Sequence, residues 1–349
     1  MGDAGQNKSA VAILRRMVPR TVKRIMWRII LGSRVLPSCY RGAWLLSDRA
    51  AYANDNAEHL FRYLRRERPD INAWYVLRRG TFDWQRLARE GYAKRLVPYQ
   101  SMRWRLLLAS STHILSSHTL PRVDPWGRPG WPGHKIVFLR HGISQGDQSS
   151  HFNSCTIDLA IVSTLPEYQS ILADKSHYNL TSSQICLTGL PRHDRLRELA
   201  DFVRPKVSDL ILVAPTWRKK LYQLPDIKDF LQTEYARAWL SLLNSSELEK
   251  IASMRGLRIV LLPHPNAFQF TRVALPAHVS LVEYENCDVQ KLFPRAAALV
   301  TDYSSIAFDP AYIGRPVVYF QFDRNEFLSG SHGWRGGYFD YYRDGFGPV

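Results

Sequence analysis

From residue 43 onward, short apolar runs alternate with stretches in which apolar residues recur every three or four positions. The first pattern is that of a buried strand and the second that of an amphipathic helix. In the first half the runs at 44–47, 73–77, 113–115, 136–139 and 159–162 read as strands, with a shorter segment at 95–97. Helices are predicted over 55–66 and 84–89 and through 106–108. After a charged helix and a linker at 202–208 the alternation restarts. Strands are expected at 211–214, 257–262, 279–282, 296–300 and 316–320, with helices across 222–254, at 289–293 and after Ser305. This rhythm predicts an α/β protein of doubly wound parallel sheets. The expected division is a basic arm over 1–40, one unit over 41–203 and a second over 204–349. Two such units facing each other leave a cleft between the C-terminal ends of their strands, where sheets of this kind bind ligands. Residues 121–133, dense in proline and glycine, are expected to form an irregular loop.

The stretch from Val300 to Asp309 reads as a strand, a tight turn and a helix start. Asp302, Ser304 and Ser305 suit the cap of that helix, and a capping role alone accounts for them. The same terminus also offers backbone N–H groups to a phosphate. Three other turns carry polar residues just past predicted strands: Arg140-His141-Gly142-Ile143-Ser144, Pro215-Thr216-Trp217-Arg218 and Pro263-His264-Pro265. A single loop histidine is more often a surface residue than a catalyst. Four such turns at equivalent positions, with two imidazoles and a guanidinium suited to phosphate, instead fit phosphoryl or glycosyl transfer from a nucleotide-activated donor.

Composition narrows the partners. Lys+Arg number 47 against 31 for Asp+Glu, a net charge of +16, which favours anionic partners without choosing among them. Cys39, Cys155, Cys186 and Cys287 show no ligand-like spacing, pointing to a reducing compartment and no zinc site. No P-loop, dinucleotide fingerprint or nucleophile elbow occurs. No D-x-D pair of metal ligands occurs either, so chemistry without a bound metal or cofactor is expected. Residues 1–40 interleave eight cations with apolar residues that are dense from Val22 to Leu31. They read equally as a helix lying on an anionic membrane surface or as a solvated basic tail, with Pro19 breaking any continuous helix. No base-reading module accompanies the arm, so a nucleic-acid partner is not expected.

The ordered motifs Trp44-Leu45-Leu46-Ser47-Asp48-Arg49, Asp55-Asn56-Ala57, Arg140-His141-Gly142, Gly189-Leu190-Pro191-Arg192-His193-Asp194, Ala214-Pro215-Thr216-Trp217-Arg218, His264-Pro265, Thr301-Asp302-Tyr303-Ser304-Ser305, Gly337-Tyr338-Phe339-Asp340 and Gly347-Pro348 resemble the CDP-glycerol glycerophosphotransferase family of teichoic acid and capsule polymer synthesis. The resemblance runs from about residue 43 to the end. It implies a GT-B-like fold of two Rossmann-like domains, acceptor side first and nucleotide-donor side second. It also implies transfer of a polyol phosphate from a CDP-activated donor to a hydroxyl of a lipid-linked or polymeric acceptor, releasing CMP, at the cytoplasmic face of the membrane. Carried over by position, His141 is the candidate base, and His264 and Arg218 steady the diphosphate or leaving CMP. Thr301, Ser304 and Ser305 hold phosphate oxygens, while Asp302 orients the turn or a donor hydroxyl. Gly142, Arg192 and Asp194 fall on the acceptor side of the cleft. Ile143-Ser144-Gln145-Gly146-Asp147 stands where a Thr-Pro-Leu-Lys-like run is usual, and His193 where asparagine is usual. The family normally continues into terminal helices beyond the position of Val349, so a fragment or one module of a longer polymerase is expected. A nucleotide-sugar glycosyltransferase and an inactive membrane-surface binding protein are the other readings.

If the arm binds lipid, the protein associates with anionic vesicles, and raising salt weakens the association by screening. Co-sedimentation of the full chain and of a chain lacking residues 1–40 tests this; equal binding by the two refutes it.

Overall fold

A computed structural model of the chain describes residues 38–118, 134–202, 208–221, 224, 226–331 and 335–349. The basic arm up to residue 37, the Pro/Gly-rich segment 121–133 and linker residues 203–207 lie outside the described residues.

Twelve strands among the described residues form two parallel sheets. The first has seven strands in the order β3-β2-β1-β4-β5-β6-β7 and the second five in the order β10-β9-β8-β11-β12. The first comprises β1 (Ala43–Ser47), β2 (Ala73–Leu77), β3 (Leu96–Pro98), β4 (Ser111–Ser116), β5 (Lys135–Phe138), β6 (Leu159–Val162) and β7 (Ile185–Leu187). The second comprises β8 (Leu210–Ala214), β9 (Arg258–Leu261), β10 (Val279–Leu281), β11 (Ala296–Thr301) and β12 (Val317–Tyr319). Strands β2 and β8 are buried along their whole length, as sheets covered on both faces require. In each sheet the strand order reverses direction next to the first strand of its half: between β1 and β4, and between β8 and β11. Crevices open at such points beyond the strand C-termini. The loops that leave β1, β4, β8 and β11 are therefore placed to meet.

Capping explains where several helices start. Asp55 accepts from the Asn56 N–H at the head of helix Asn56–Glu67, Thr81 accepts from Trp84 N–H, and Thr164 from Glu167 N–H. The predicted helix at 289–293 is instead two short 3-10 turns, Val289–Lys291 and Phe293–Arg295. Pro294 lacks the amide and biases the residue before it away from α-helix. Past Ser304 the helix is likewise shorter than its apolar spacing suggests. A 3-10 turn over Ser305–Ala307 leads into Phe308–Tyr312, and Gly314 follows at φ 72°. Strand β7 and helix Leu165–Leu172 carry too little periodicity to be read from sequence.

Helix Pro191–Phe202 ties the halves together. Its Leu196 is buried in the core of the second sheet, with Leu212, Phe293 and Val317. Its polar residues bridge the halves: Arg192 N–H donates to Asn56 Oδ1 at 3.2 Å in the first, and Arg195 bonds Asn54 Oδ1 of the first at 3.0 Å and Asp288 Oδ1 of the second at 2.9 Å. The C-terminal segment adds a second tie. Asp147 N–H donates to Arg335 O, Tyr319 N–H donates to Pro348 O, and Phe339 packs on both cores.

Candidate functional site

A cleft between the two sheets is walled by the loops after β1, β4 and β5 on one side and after β8, β9 and β11 on the other. His141, His264, Ser304 and Ser305 all line it. The turns from the two sides touch. A Cβ added to Gly142 would stand 2.8 Å from Ser305 Oγ, so a larger residue here would have to turn that hydroxyl aside.

The His141 turn is built from long-range hydrogen bonds. Asn56 Nδ2 donates to Arg140 O at 2.7 Å and to Leu139 O at 3.3 Å. Arg140 sits at φ 61°, a left-handed conformation that turns the chain sharply after β5. His141 Nδ1 lies 2.5 Å from Asp55 Oδ2, while Asp55 Oδ1 accepts from Arg192 Nη1 at 2.9 Å. Burial pushes the Asp55 carboxyl up, but His141, Arg192 and His118 outweigh it and hold the group well below the usual carboxylate range. Asp55 is therefore ionised and accepts the Nδ1 proton, leaving His141 Nε2 as an acceptor in the half-exposed face of the ring. Beneath it Asp48 gathers Ala57 N–H, Glu58 N–H and the Tyr75 hydroxyl, at 2.9, 3.1 and 2.7 Å, which anchors the head of helix Asn56–Glu67.

His264 has the opposite character. Its Nδ1 accepts from Asn266 N–H at 3.0 Å, so its proton resides on Nε2. The ring stacks on Trp217 with centroids 5.9 Å apart. Burial, together with the charges of Arg49 and His141, pushes its imidazole down to about 3. His264 is thus a neutral donor, and the two histidines offer an acceptor and a donor to one cleft.

The remaining predicted residues separate into those on the cleft and those behind it. Ser304 and Ser305 line it, although Ser304 Oγ also accepts from Ile306 N–H at 3.3 Å, as a cap does. Arg218 does not face the cleft. It is 2% exposed, its Nε and Nη2 donate to Asp323 and Asp302 at 2.9 and 2.7 Å, and its Nη1 donates to Thr216 O at 2.9 Å. The expectation that it grips a diphosphate is corrected: its donors are spent and its plane lies among Tyr235, Tyr303 and Phe327. Asp302 and Thr301 are fully buried beside it. Asp302 orients the β8 turn by accepting from Thr216 N–H at 2.8 Å rather than capping the helix, and Thr301 Oγ1 donates to Ala214 O at 2.7 Å. Arg192 lies at the cleft floor, buried between Asp55 and Asp309 at 2.9 and 3.1 Å. Asp194 opens instead onto a separate cavity with Tyr312, Tyr338 and Phe339.

Asp55, Asn56 and His118 hold positions at the cleft that the sequence reading did not assign. His118 lies against His141 with ring centroids 4.6 Å apart and the planes tilted by 33°, and accepts from Arg49 Nε at 2.9 Å. Only the position of His118 past a predicted strand could have flagged it. Asp55, His118 and His141 place a carboxylate oxygen and two ring nitrogens within 4.8 Å of one another, the grouping among the described residues able to hold a metal ion.

The family described as CDP-Glycerol:Poly(glycerophosphate) glycerophosphotransferase matches residues 33–349. The minor teichoic acid biosynthesis protein GgaB of Bacillus subtilis is 31% identical over 328 residues, 88% of this chain and 34% of that protein. A teichoic acid glycerol-phosphate transferase of Staphylococcus aureus is 27% identical over 54% of this chain and 47% of its own length. The chain thus spans about a third of the first relative and about half of the second. Among solved structures, the wall teichoic acid polymerase TagF superposes with a TM-score of 0.67 at 17% identity, over 100% of this chain and 86% of that one. This is a likeness of fold, an α/β architecture of parallel sheets.

Two outcomes follow from the buried charges. Arg218→Ala leaves Asp302 and Asp323 buried without their cation and lowers stability by about 3–5 kcal/mol in urea unfolding; a loss of activity with no loss of stability contradicts the strut role. For His264, the unfolded imidazole titrates near 6.5 and the folded one at about 3. Between these values only the unfolded chain takes up the proton, so stability falls as pH drops below about 6.5. His264→Asn keeps the acceptor for Asn266 and flattens that acid-side slope; an unchanged slope refutes the assignment.

Proposed function

Because the chain belongs to the CDP-glycerol:poly(glycerophosphate) glycerophosphotransferase family, we propose that it transfers a polyol phosphate, most simply glycerol phosphate, from a CDP-activated donor to a hydroxyl of a lipid-linked or polymeric acceptor. The observation that carries this reading is the pairing of an Asp55-oriented His141 with a neutral His264 and two serines across one cleft. The relatives' names, teichoic acid biosynthesis protein and glycerol-phosphate transferase, support it.

In this reading the two sheets form a GT-B-like pair, with residues 41–203 serving the acceptor and 204–349 the donor. His141 Nε2 takes the proton of the acceptor hydroxyl while Asp55 stabilises the imidazolium that forms. The hydroxyl oxygen bonds to the polyol-bearing phosphorus of the donor. The bond from that phosphorus to the bridging oxygen breaks, and CMP leaves with the bridging oxygen and the electron pair. His264 Nε2–H and the hydroxyls of Ser304 and Ser305 donate to phosphate oxygens, where charge grows on the leaving group. Arg218, Thr301 and Asp302 act one layer behind, fixing the β8 and β11 turns. The arm over 1–40 would hold the protein peripherally at the cytoplasmic membrane face. Among the described residues no helix is long and apolar enough to cross a membrane.

The test is CMP release from CDP-glycerol, CDP-ribitol and a panel of UDP-sugars, with a lipid-linked or short polyol-phosphate acceptor. His141→Ala is expected to lower kcat about 10²–10⁴-fold. Asp55→Asn, which keeps the ring but reverses the hydrogen bond at Nδ1, is expected to lower it by a similar order. Turnover with UDP-sugars alone sinks the phosphotransferase in favour of glycosyl transfer.

A further inference from the structure

The cleft has two mouths that meet at His141 and His264, and their side chains differ in charge. One is lined by Asp48, Asp55, Asp83 and Asp309, by Arg49 and Arg192, and by Tyr284, Val289 and Phe293. The other is lined by Arg49, Arg140 and Lys219, with several imidazoles and amides, and by no aspartate or glutamate among the described residues. The acidic and apolar mouth, with Tyr284, Val289 and Phe293 on its wall, suits a nucleoside. The basic mouth, a cavity of about 580 Å³, is large enough for a ligand, and its charge suits an anion.

Two buried donors in the basic mouth have no partner. Gln145, 4% exposed, leaves Nε2 unpaired. Arg140, 3% exposed, leaves Nη1 unpaired while its Nη2 bonds Ser144 Oγ and Glu167 Oε1, the latter at 2.9 Å. An unmet buried donor costs about 1–3 kcal/mol, so two lining one groove mark where an acceptor atom from outside belongs. Glu167 also accepts from Ser144 N–H at 2.7 Å, which fixes Arg140 from behind. Lys219 stands exposed at the rim, on the loop after β8.

We propose that this mouth is a phosphate subsite for the acceptor, in which Arg140, Gln145 and Lys219 hold a backbone phosphate of a phosphodiester-linked polyol chain and direct its terminal hydroxyl to His141. The assignment rests on the phosphotransferase reading for the identity of the chain, but the subsite itself requires only a repeating phosphodiester. The chain enters from the side opposite the nucleoside, so its hydroxyl and the leaving CMP lie on opposite sides of the transferred phosphorus, as an in-line displacement requires.

The test is titration calorimetry of the full chain with a synthetic glycerol-phosphate tetramer and no donor, at low and moderate salt. Wild type should bind the tetramer better than free glycerol. Lys219→Glu should weaken binding about tenfold and flatten its salt dependence, since a charge at the rim of the site is lost. Gln145→Leu should weaken it about threefold, and thermal melts verify that both variants fold. Lys250→Glu, the same change of charge on helix Ser246–Met254, serves as the control. Equal losses in the Lys219 and Lys250 variants would falsify the subsite, reducing the effect to the +16 charge of the chain. So would a tetramer that binds no better than glycerol, or an oligothymidine of equal charge that loses the same factor. Tetramer binding that tracks Lys219 without CMP release from any CDP-polyol upholds the subsite and rejects the proposed reaction. CMP release with tetramer binding indifferent to Lys219 does the reverse.

Discussion

Arg192 is buried between two carboxylates that come from opposite halves of the molecule. Asp55 heads the first helix of the N-terminal half and Asp309 lies in the turn of helix that follows β11. Burial works against its charge, but Asp309 and Asp55 together more than offset that and hold its guanidinium well above the usual range. Such a group is worth little as an isolated gain in stability, because desolvation consumes most of the attraction. Its worth is in position: the cation cannot leave either carboxylate without leaving a charge uncompensated in the interior. The halves are therefore locked in one relation. The same Asp55 that receives Arg192 also receives His141, so the lock that closes the cleft is the one that orients this imidazole.

The second half uses the same device for a different purpose. Arg218 joins Asp302 and Asp323 and so fixes the turns after β8 and β11, with Thr216 N–H and Thr216 O both tied into the cluster. Because these charges neutralise one another behind the wall, the turns themselves face the cleft with serine hydroxyls, a neutral imidazole and an indole, and Lys219 adds its charge only at the rim. A diphosphate placed there would meet hydrogen-bond donors already in position, and preorganised donors of this kind serve a transition state better than mobile cations.

The alternation of apolar runs with 3.6-residue periodicity was enough to place eleven of the twelve described strands and the turns beyond them, because parallel strands buried on both faces cannot conceal their composition. The four polar turns were legible for the same reason, since they sit where those runs end. What remained hidden was partnership. Asp55 looks like any helix cap, and nothing local announces a histidine 86 positions away. His118 sits just ahead of a Pro/Gly-rich stretch, where a polar residue excites no notice. Arg218 was read as a phosphate ligand because its chemistry suits one. Only the fold shows that two aspartates 84 and 105 positions away already occupy its donors. Pro294 was visible in the sequence, yet its effect on the 289–293 segment was outweighed by an apolar spacing that fits a helix equally well.

The contact between Gly142 and Ser305 sets the scale of the site. The close approach of these turns brings the neighbouring His141 and Ser304 onto the wall of one cleft. Opening the halves would move His141 away from Ser304 and Ser305, which share its cleft. Opening would also have to part Arg192 from Asp55 or Asp309, at a cost of about 3–5 kcal/mol by analogy with other broken buried pairs. The closed arrangement therefore persists without substrate. The energy of substrate binding then need not be spent on assembling the cleft and remains for the reaction.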